Sequence, residues 1–182
     1  GTTRLDATTA GDVRATRAGN DFGGDVQIVA ANNAEITDKN SLTFGLGTTK
    51  TAGDLKVLAG GTIGQNQSLN VGGQLAARTR STADGAEINL GDSENLLKSV
   101  DLRTLKGAVG DANPVSGANA KADVTINGQG QSDARGYFID AIRTAGTANL
   151  KSSAGSVELT DRGTTGATVE AKGVNFSIYS RH

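Results

Sequence analysis

The sequence contains no cysteine, no methionine and no tryptophan among its 182 residues. The absence of cysteine excludes a disulfide framework and any metal site built on thiolates. The one histidine, His182, is the last residue, which argues against histidine-based nucleophilic catalysis and against a histidine metal site. The sequence therefore predicts no catalytic residues and no metal site, and no motif in it suggests a cofactor.

Large side chains are scarce as well. Two tyrosines and four phenylalanines are the only aromatic residues, and there is one proline. A compact domain of this length normally fills its core with bulky side chains. The apolar residues here are chiefly Ala, Val, Leu and Ile, which suit a thin core built from many similar layers. This composition favours a stacked, quasi-one-dimensional repeat over a globular core.

The sequence also lacks long apolar runs and an excess of one charge. No segment approaches the roughly 18 apolar residues of a membrane-spanning helix, so no membrane insertion of this segment is expected. Lysine and arginine number 18 against 19 acidic residues, and no basic block points to nucleic acid as a partner. No signal peptide is recognisable, so the targeting signal of an exported protein would lie outside this sequence.

Glycine, by contrast, is abundant, with 26 residues, and each would cost about 1 kcal/mol in a helix interior. Short alternating apolar runs bounded by Gly, Asn, Asp, Ser or Thr occur throughout, which is a strand pattern. Examples are residues 26–29, 54–57, 87–90 and 123–126. One short helical turn is predicted at residues 92–98, where Asp92 or Ser93 could cap it.

The apolar positions recur at a nearly constant step. Ile36 to Leu55 and Phe44 to Ile63 are 19 residues, and Leu55 to Leu75 is 20. The pairs Leu150 with Val169, Val157 with Phe176 and Leu159 with Ile178 are also 19 apart. One solenoid coil with two or three strands needs such a period, and coils stack to bury their apolar faces. The sequence thus predicts an all-β fold, a right-handed parallel β-helix with about 19–20 residues per coil. Residues 1–182 would form a single segment of about nine coils, roughly 40 Å long.

The repeat loses its phase between Leu96 and Lys121. Residues 106–120 are rich in glycine and contain the one proline, Pro114. We predict a longer loop or insertion around residues 96–121, with a short extra strand at residues 99–105. Loops on a rigid scaffold commonly carry recognition, and a tolerated spacer is the alternative.

Three segments of the first half follow one another in a recognisable order. They are AGNDFGGDVQIVAANNAEITDKNSLTFG at residues 18–45, AGDLKVLAGGTIGQNQSLNVGGQLAART at residues 52–79 and ADGAEINLG at residues 83–91. In this order they resemble the repeats of giant bacterial autotransporters and filamentous-haemagglutinin-like adhesins. Beyond residue 90 the likeness is looser, through VTINGQG at residues 124–130 and AGSVELTD at residues 154–161. The resemblance implies secretion to the bacterial surface, a right-handed β-helix and a role in adhesion or biofilm formation, and it implies no catalytic residues.

Parallel β-helices also include polysaccharide-degrading lyases and hydrolases, which use carboxylates for acid–base work or Ca²⁺ binding. The carboxylates that could serve here are Asp123, Asp133 with Asp140, and Glu158 with Asp161. The simpler interpretation is that they form turns and solvated rim charges, because Asp is common in turns. We therefore expect no enzyme, and a polysaccharide-degrading β-helix enzyme is the alternative.

Sugar-binding proteins often present aromatic rings beside planar polar groups. The best such place in the sequence is Tyr137, which has Asp133, Arg135, Asp140 and Arg143 near it. These five residues are the candidate ligand-binding site. The alternative, which we prefer, is a tyrosine that packs at the edge of a coil with exposed charges around it.

The leading functional hypothesis is a structural or adhesive segment of a secreted or surface-anchored bacterial adhesin, located outside the cell. It would present a binding surface to polysaccharide or to a host or bacterial surface protein. A passive stalk without a ligand is a further alternative. Because the terminal coils of a solenoid segment expose strand edges, weak end-to-end self-association is also expected.

Overall fold

The fold is a stack of short parallel strands without helices in the residues that the structure describes. The structure, a computed structural model, describes residues 1–92, 94–131, 136–159 and 168–171. In chain order the strands are β1 (Thr3–Asp6), β2 (Val13–Ala15), β3 (Val26–Ala30), β4 (Ala34–Asp38), β5 (Leu42–Phe44), β6 (Thr49–Thr51), β7 (Leu55–Ala59), β8 (Ile63–Gln65), β9 (Leu69–Ser81), β10 (Ile88–Leu90), β11 (Leu96–Lys106), β12 (Val124–Ile126), β13 (Gln129–Gly130), β14 (Gly136–Thr144), β15 (Ala148–Leu150), β16 (Ser156–Leu159) and β17 (Thr168–Ala171). No helix long and apolar enough to cross a membrane occurs among these residues.

The strands form three faces of a β-solenoid with about six turns. Face A stacks β1, β3, β5, β8, β10, β12 and β15, and face B stacks β2, β4, β7, β9, β11, β14 and β16. Face C is shorter and consists of β6, β13 and the first residues of β9 and β11, which pair with them. Each coil thus runs from face A through face C to face B, as the predicted β-helix requires.

Columns of aliphatic side chains fill the interior. On face A, Leu42, Ile63, Ile88, Val124 and Ala148 occupy one register position in successive coils, and all are fully buried. On face B the column Leu55, Leu75, Val100 and Ile139 is fully buried as well. Burying such a side chain is worth about 1.5–3 kcal/mol, so these columns hold neighbouring coils together.

Gly72 shows why glycine lies at a corner. It stands between the part of β9 on face C and the part on face B. A Cβ at this position would lie 2.2 Å from the carbonyl oxygen of Ala52 in the preceding coil. Only glycine permits this close approach of two backbones. Gly72 therefore marks the bend between face C and face B.

The register corrects several strand pairings predicted from the period. Leu55 pairs with Leu75 as predicted, but Ile36 pairs with Val57 and Phe44 with Gln65, two residues beyond the expected partners. A shift of two residues keeps every side chain on its original side of the sheet, so the apolar pattern could not reveal it. At the far end, Val169 pairs with Ile142 on face B instead of with Leu150 on face A. Phe176 and Ile178 lie outside the described residues.

The number of turns is about six, where the period had suggested nine. The step is 21 residues from Leu42 to Ile63 but 25 from Ile63 to Ile88, and it reaches 36 from Ile88 to Val124. Later coils are therefore longer than the first ones, and fewer of them fit into the chain.

The helical turn predicted at residues 92–98 is wrong. The side chain of Asp92 accepts a hydrogen bond from the Glu94 backbone N–H at 2.8 Å, as a capping residue would. The chain then enters β11, because Leu96 and Leu97 pair with Asn70 and Val71 of the preceding coil. Cross-strand pairing overrides the local turn signal.

The irregular segment predicted at residues 96–121 divides into a strand and a loop. Its first part is β11, which contains the predicted strand at residues 99–105. The loop then leaves face B at Lys106, whose backbone N–H donates to Ala118 O at 2.8 Å, so both ends of the loop are held together. It folds back over earlier coils: Val109 packs against Gly60, and Gly110 lies near Ala18. Arg80, with a side chain 4% exposed, is ion-paired with Asp111 of this loop at 2.6 Å.

Candidate functional site

Tyr137 lies in the core. The residue is 1% exposed, and its hydroxyl donates a hydrogen bond to Lys151 O at 2.8 Å. Burial raises the pKa of this hydroxyl above its ordinary value. The ring offers no face to a sugar on the surface, which favours the packing interpretation of this residue. Asp133 and Arg135, the other nearby residues of the predicted site, lie outside the described residues.

The next residue in the strand, Phe138, faces outward. Tyr137 and Ile139 both belong to the buried core, and successive side chains of a strand point to opposite sides. Phe138 pairs with Ser99 and Glu158 in the neighbouring coils, and its ring is half-buried. The accessible aromatic ring of this strand is therefore one residue beyond the predicted one.

Phe138 belongs to a polar and aromatic surface on the outer side of face B, which we call the β9–β14 patch. Its members are Gln74, Arg78, Asp101, Arg103, Phe138, Asp140 and Arg143. Asp140 and Arg143 were among the predicted ligand-binding residues. The structure brings them beside side chains of β9 and β11 that the sequence reasoning did not select.

Three arginines form one column of this patch. Arg103 pairs with Arg78 in the coil before and with Arg143 in the coil after, so the three occupy one register position. Their inward neighbours Ala77 and Leu102 are fully buried, which fixes the arginines on the outer side.

Asp101 ties two of these arginines together. Its Oδ2 lies 2.8 Å from Arg78 Nη2, and its carboxylate accepts two hydrogen bonds from Arg103, at 2.7 Å from Nε and 3.0 Å from Nη2. The side chains of all three residues are between 8% and 20% exposed. Burial lowers the pKa of the Arg78 guanidinium, and Asp101 opposes that shift. Partial removal from water strengthens these charge-assisted hydrogen bonds.

A second polar pair, Gln74 and Asp140, lies at the Phe138 end of the patch. Gln74 Nε2 donates to Asp140 Oδ2 at 2.7 Å, across the intervening strand β11. A bulge displaces Asp140 from regular pairing, since Val100 pairs with Ile139 while Asp101 pairs with Ala141. The patch thus combines an aromatic ring, a neutral amide, two carboxylates and three guanidinium groups.

Among the described residues, Asp123 lies apart from the other carboxylates predicted for an enzyme. Asp140 lies in the patch, while Asp123 lies at a corner before face A, where its side chain accepts a hydrogen bond from the Thr147 backbone N–H at 2.8 Å. Glu158 is exposed on the last described coil of face B and pairs with Phe138, beside the patch that contains Asp140. Asp161 is outside the described residues.

Asp123 does line an open groove together with Asp84 and Glu87. Asp84 is ion-paired with Lys106 at 2.7 Å and also accepts a hydrogen bond from the Lys121 backbone N–H. The lysine and this hydrogen bond lower the pKa of Asp84. Among the described residues, no group of three His, Cys, Asp or Glu side chains could hold a metal ion.

Comparisons with known proteins add a repeat assignment for part of the chain. A family model described as repeats of unknown function (DUF5649) matches residues 31–104. No curated protein and no solved structure matches the chain significantly. The matched region covers β4 to most of β11, the stretch in which coils follow one another most regularly and in which the arginine column begins.

Proposed function

We propose that this chain is a structural and adhesive segment of a secreted or surface-anchored bacterial exoprotein. Its solenoid acts as a rod, and the β9–β14 patch is the surface that it presents to polysaccharide. The segment contributes to attachment of cells or to the matrix between them, and it works outside the cell.

The observation that carries this proposal is the outward, half-buried ring of Phe138 beside the Gln74–Asp140 pair. Aromatic rings combine a large apolar face with little conformational freedom, and they dominate many binding surfaces. Amide and carboxylate groups next to such a ring can pair with hydroxyl groups of a sugar. The likeness of residues 20–91 to adhesin repeats supports the same proposal, and the repeat assignment fits a rod of stacked coils.

A glycan array tests the proposal. The chain should bind one or more bacterial or host glycans saturably, and Phe138→Ala should weaken binding by about tenfold, since truncated aromatic anchors commonly cost more than 1 kcal/mol. Phe22→Ala is the matched control, because Phe22 is a partly buried aromatic residue of an earlier coil. Thermal unfolding of each variant establishes that it is folded.

Two results would contradict the proposal. Absence of binding to every glycan would favour the passive stalk, with recognition elsewhere in the parent protein. Equal losses in both phenylalanine variants would show that Phe138 acts only through stability.

The groove lined by Asp84, Glu87 and Asp123 is where the alternative, a polysaccharide-degrading enzyme, would have its acid and base. Under that alternative, incubation with an acidic polysaccharide releases new chain ends, and Asp123→Asn abolishes the release. Under the adhesive proposal the polymer stays intact.

A further inference from the structure

We infer that the ligand of the β9–β14 patch is an anionic polysaccharide whose acidic groups bind the arginine column formed by Arg78, Arg103 and Arg143. This inference rests on the proposed adhesive function and names the class of polymer that the patch selects.

The column is built by strand register. Arg78, Arg103 and Arg143 come from three successive coils, and adjacent strands of a sheet lie about 4.8 Å apart. The three backbone positions therefore span about 10 Å along the rod. In the coil after Arg143 the register position belongs to Glu170, so the run of cations ends there.

Two arginines of the column share one carboxylate. Both Arg78 and Arg103 are bound to Asp101, and each keeps part of its side chain at the surface, 16% and 20% exposed. Arg78 Nε is buried and has no hydrogen-bond partner in the described part of the chain. A guanidinium carries five N–H donors in a planar fork that fits carboxylate and sulfate oxygens two at a time. At the exposed part of these side chains, an acidic ligand offers acceptors beyond the one carboxylate that they share.

Asp101 also prepares the column for a ligand. Its hydrogen bonds already hold the guanidinium groups of Arg78 and Arg103 in place. These side chains therefore lose less conformational entropy when a ligand binds. Their surroundings are only partly hydrated, which strengthens their attraction for an anion.

The distance from the column to Phe138 argues for a polymer. Arg103 and the residue paired with Phe138, Ser99, are four residues apart along β11, which corresponds to about 13 Å. A single sugar does not reach both places. An oligosaccharide that crosses the face can place acidic groups on the arginines and a sugar ring against Phe138.

The inference is tested with four immobilised polymers: polygalacturonate, dextran sulfate, neutral dextran and single-stranded DNA. We expect saturable binding to polygalacturonate or to dextran sulfate, which tells carboxylate from sulfate recognition, and none to neutral dextran. Binding should weaken as salt increases, because ions screen the arginine charges.

Arg103→Gln and Arg143→Gln should each weaken binding about fivefold to tenfold. The matched control is Arg14→Gln on the same face, where the side chain is 75% exposed and lies far from the patch along the rod, and it should change affinity less than twofold. If Arg103→Gln does not fold because Asp101 loses a partner, the affinities of Arg143→Gln and Arg103→Lys for the acidic polymer test the inference instead. The lysine variant keeps the charge but loses the fork, so it should bind more weakly than the wild type.

The outcomes separate this inference from the proposed function. Binding to neutral glycans alone, lost in Phe138→Ala, would overturn the anionic ligand and leave the adhesive function standing. No binding to any glycan would overturn both. DNA binding as tight as polygalacturonate binding would identify a general polyanion surface and overturn the inference, as would equal losses in the Arg14 and Arg143 variants.

Discussion

Asn95 is a fully buried amide that joins three coils. Its Oδ1 accepts hydrogen bonds from the Leu69 backbone N–H at 2.8 Å and from Gln65 Nε2 at 3.0 Å. Its Nδ2 donates to the carbonyl oxygens of Leu90 and Asn127 at 3.2 and 2.9 Å, and to Gln65 Oε1 at 3.0 Å. Both polar atoms of the side chain are satisfied, which is how a solenoid tolerates a polar group inside a corner.

Replacement of Asn95 should lower the stability of the fold. Asn95→Ala leaves the Leu69 N–H and the Asn127 carbonyl buried without these partners, and we expect the free energy of unfolding to fall by about 2–4 kcal/mol. Asn89→Ala is the matched control, because Asn89 is exposed on β10 in the same coil, and it should cost less than about 0.5 kcal/mol. Urea denaturation measures both values. Similar losses in the two variants would contradict the role assigned to Asn95.

At this scale the sequence predicts the neighbourhood of the candidate site but not its members. Asp140 and Arg143 were selected because they are close to Tyr137 in sequence, and both lie in the β9–β14 patch. Tyr137 itself is inside and Phe138 outside, because a change of one position in a strand turns a side chain to the other face. The segment GYFI has three adjacent large apolar residues, so alternation alone could not tell which of them points outward.

At the scale of structural elements, a ladder of polar side chains runs from coil to coil along the corner that precedes face B. Asp12 Oδ1 accepts a hydrogen bond from the Asn33 backbone N–H at 3.1 Å, Asn33 Oδ1 accepts one from Asp54 N–H at 3.0 Å, and Asp54 Oδ1 accepts one from Gln74 N–H at 2.9 Å. Each side chain therefore satisfies a donor of the following coil. Asp and Asn serve equally because both carry the accepting oxygen.

This ladder predicts a specific response to pH. The hydrogen bonds from the backbone and side chain of Asn33 lower the pKa of Asp12 in the folded state. A lowered folded pKa stabilises the fold above the unfolded value, near 4, and this contribution is lost as the pH falls through the folded value. Asp12→Asn keeps the acceptor and cannot titrate. We expect its melting temperature to match the wild type at pH 7 and to fall less between pH 5 and pH 3.

The comparison with Asp12→Ala completes that experiment. Alanine offers no acceptor, so this variant should melt a few degrees below the wild type at pH 7, and the difference should narrow at pH 3, where Asp12 of the wild type becomes protonated. If Asp12→Asn loses stability on acidification as steeply as the wild type, the hydrogen bond to Asn33 does not stabilise the ionised form.

The sequence predicts strands and their inward positions better than it predicts their partners. The apolar period reflects which side chains point inward. A register shift of two residues leaves the same side chains pointing inward, so the period does not reveal it. Ile36 and Phe44 therefore appeared to match Leu55 and Ile63, although their true partners are Val57 and Gln65. The long step from Ile88 to Val124 arises because the coil contains the loop after Lys106, and a loop has no fixed length.

At the scale of the whole molecule, β1 is the edge strand of face A among the described residues. Thr3 N–H donates to Asp25 O at 2.9 Å, and adjacent residues of a parallel strand direct their N–H groups to opposite sides. The Arg4 N–H of β1 therefore points away from β3, toward the side on which the described residues contain no further strand. Such an edge can pair with a strand of another copy.

We expect weak end-to-end dimers of this chain in concentrated solution. Arg4→Pro removes an outward N–H without removing the bond from Thr3, so it should shift the sample to monomer while the melting temperature changes little. Sedimentation velocity over a range of concentrations measures the dimer. A monomer at every concentration in the wild type would contradict the expectation, and a dimer that Arg4→Pro leaves unchanged would place the contact elsewhere.

The loop after Lys106 changes how far cooperativity extends along the rod. In an ordinary solenoid each repeat contacts its neighbours alone, and stability is nearly a sum of local terms, so the ends can fray independently. Here the loop contacts coils that lie much earlier in the sequence. Val109 packs against Gly60, and Gly110 lies near Ala18. Arg80 of β9 is ion-paired with Asp111 of the loop. Hydrogen exchange should therefore report the first coils and the coil of β11 opening as one unit. If the chain is synthesised or exported with its N-terminus first, the early coils reach their final stability only after the loop at residues 107–117 has emerged and packed against them.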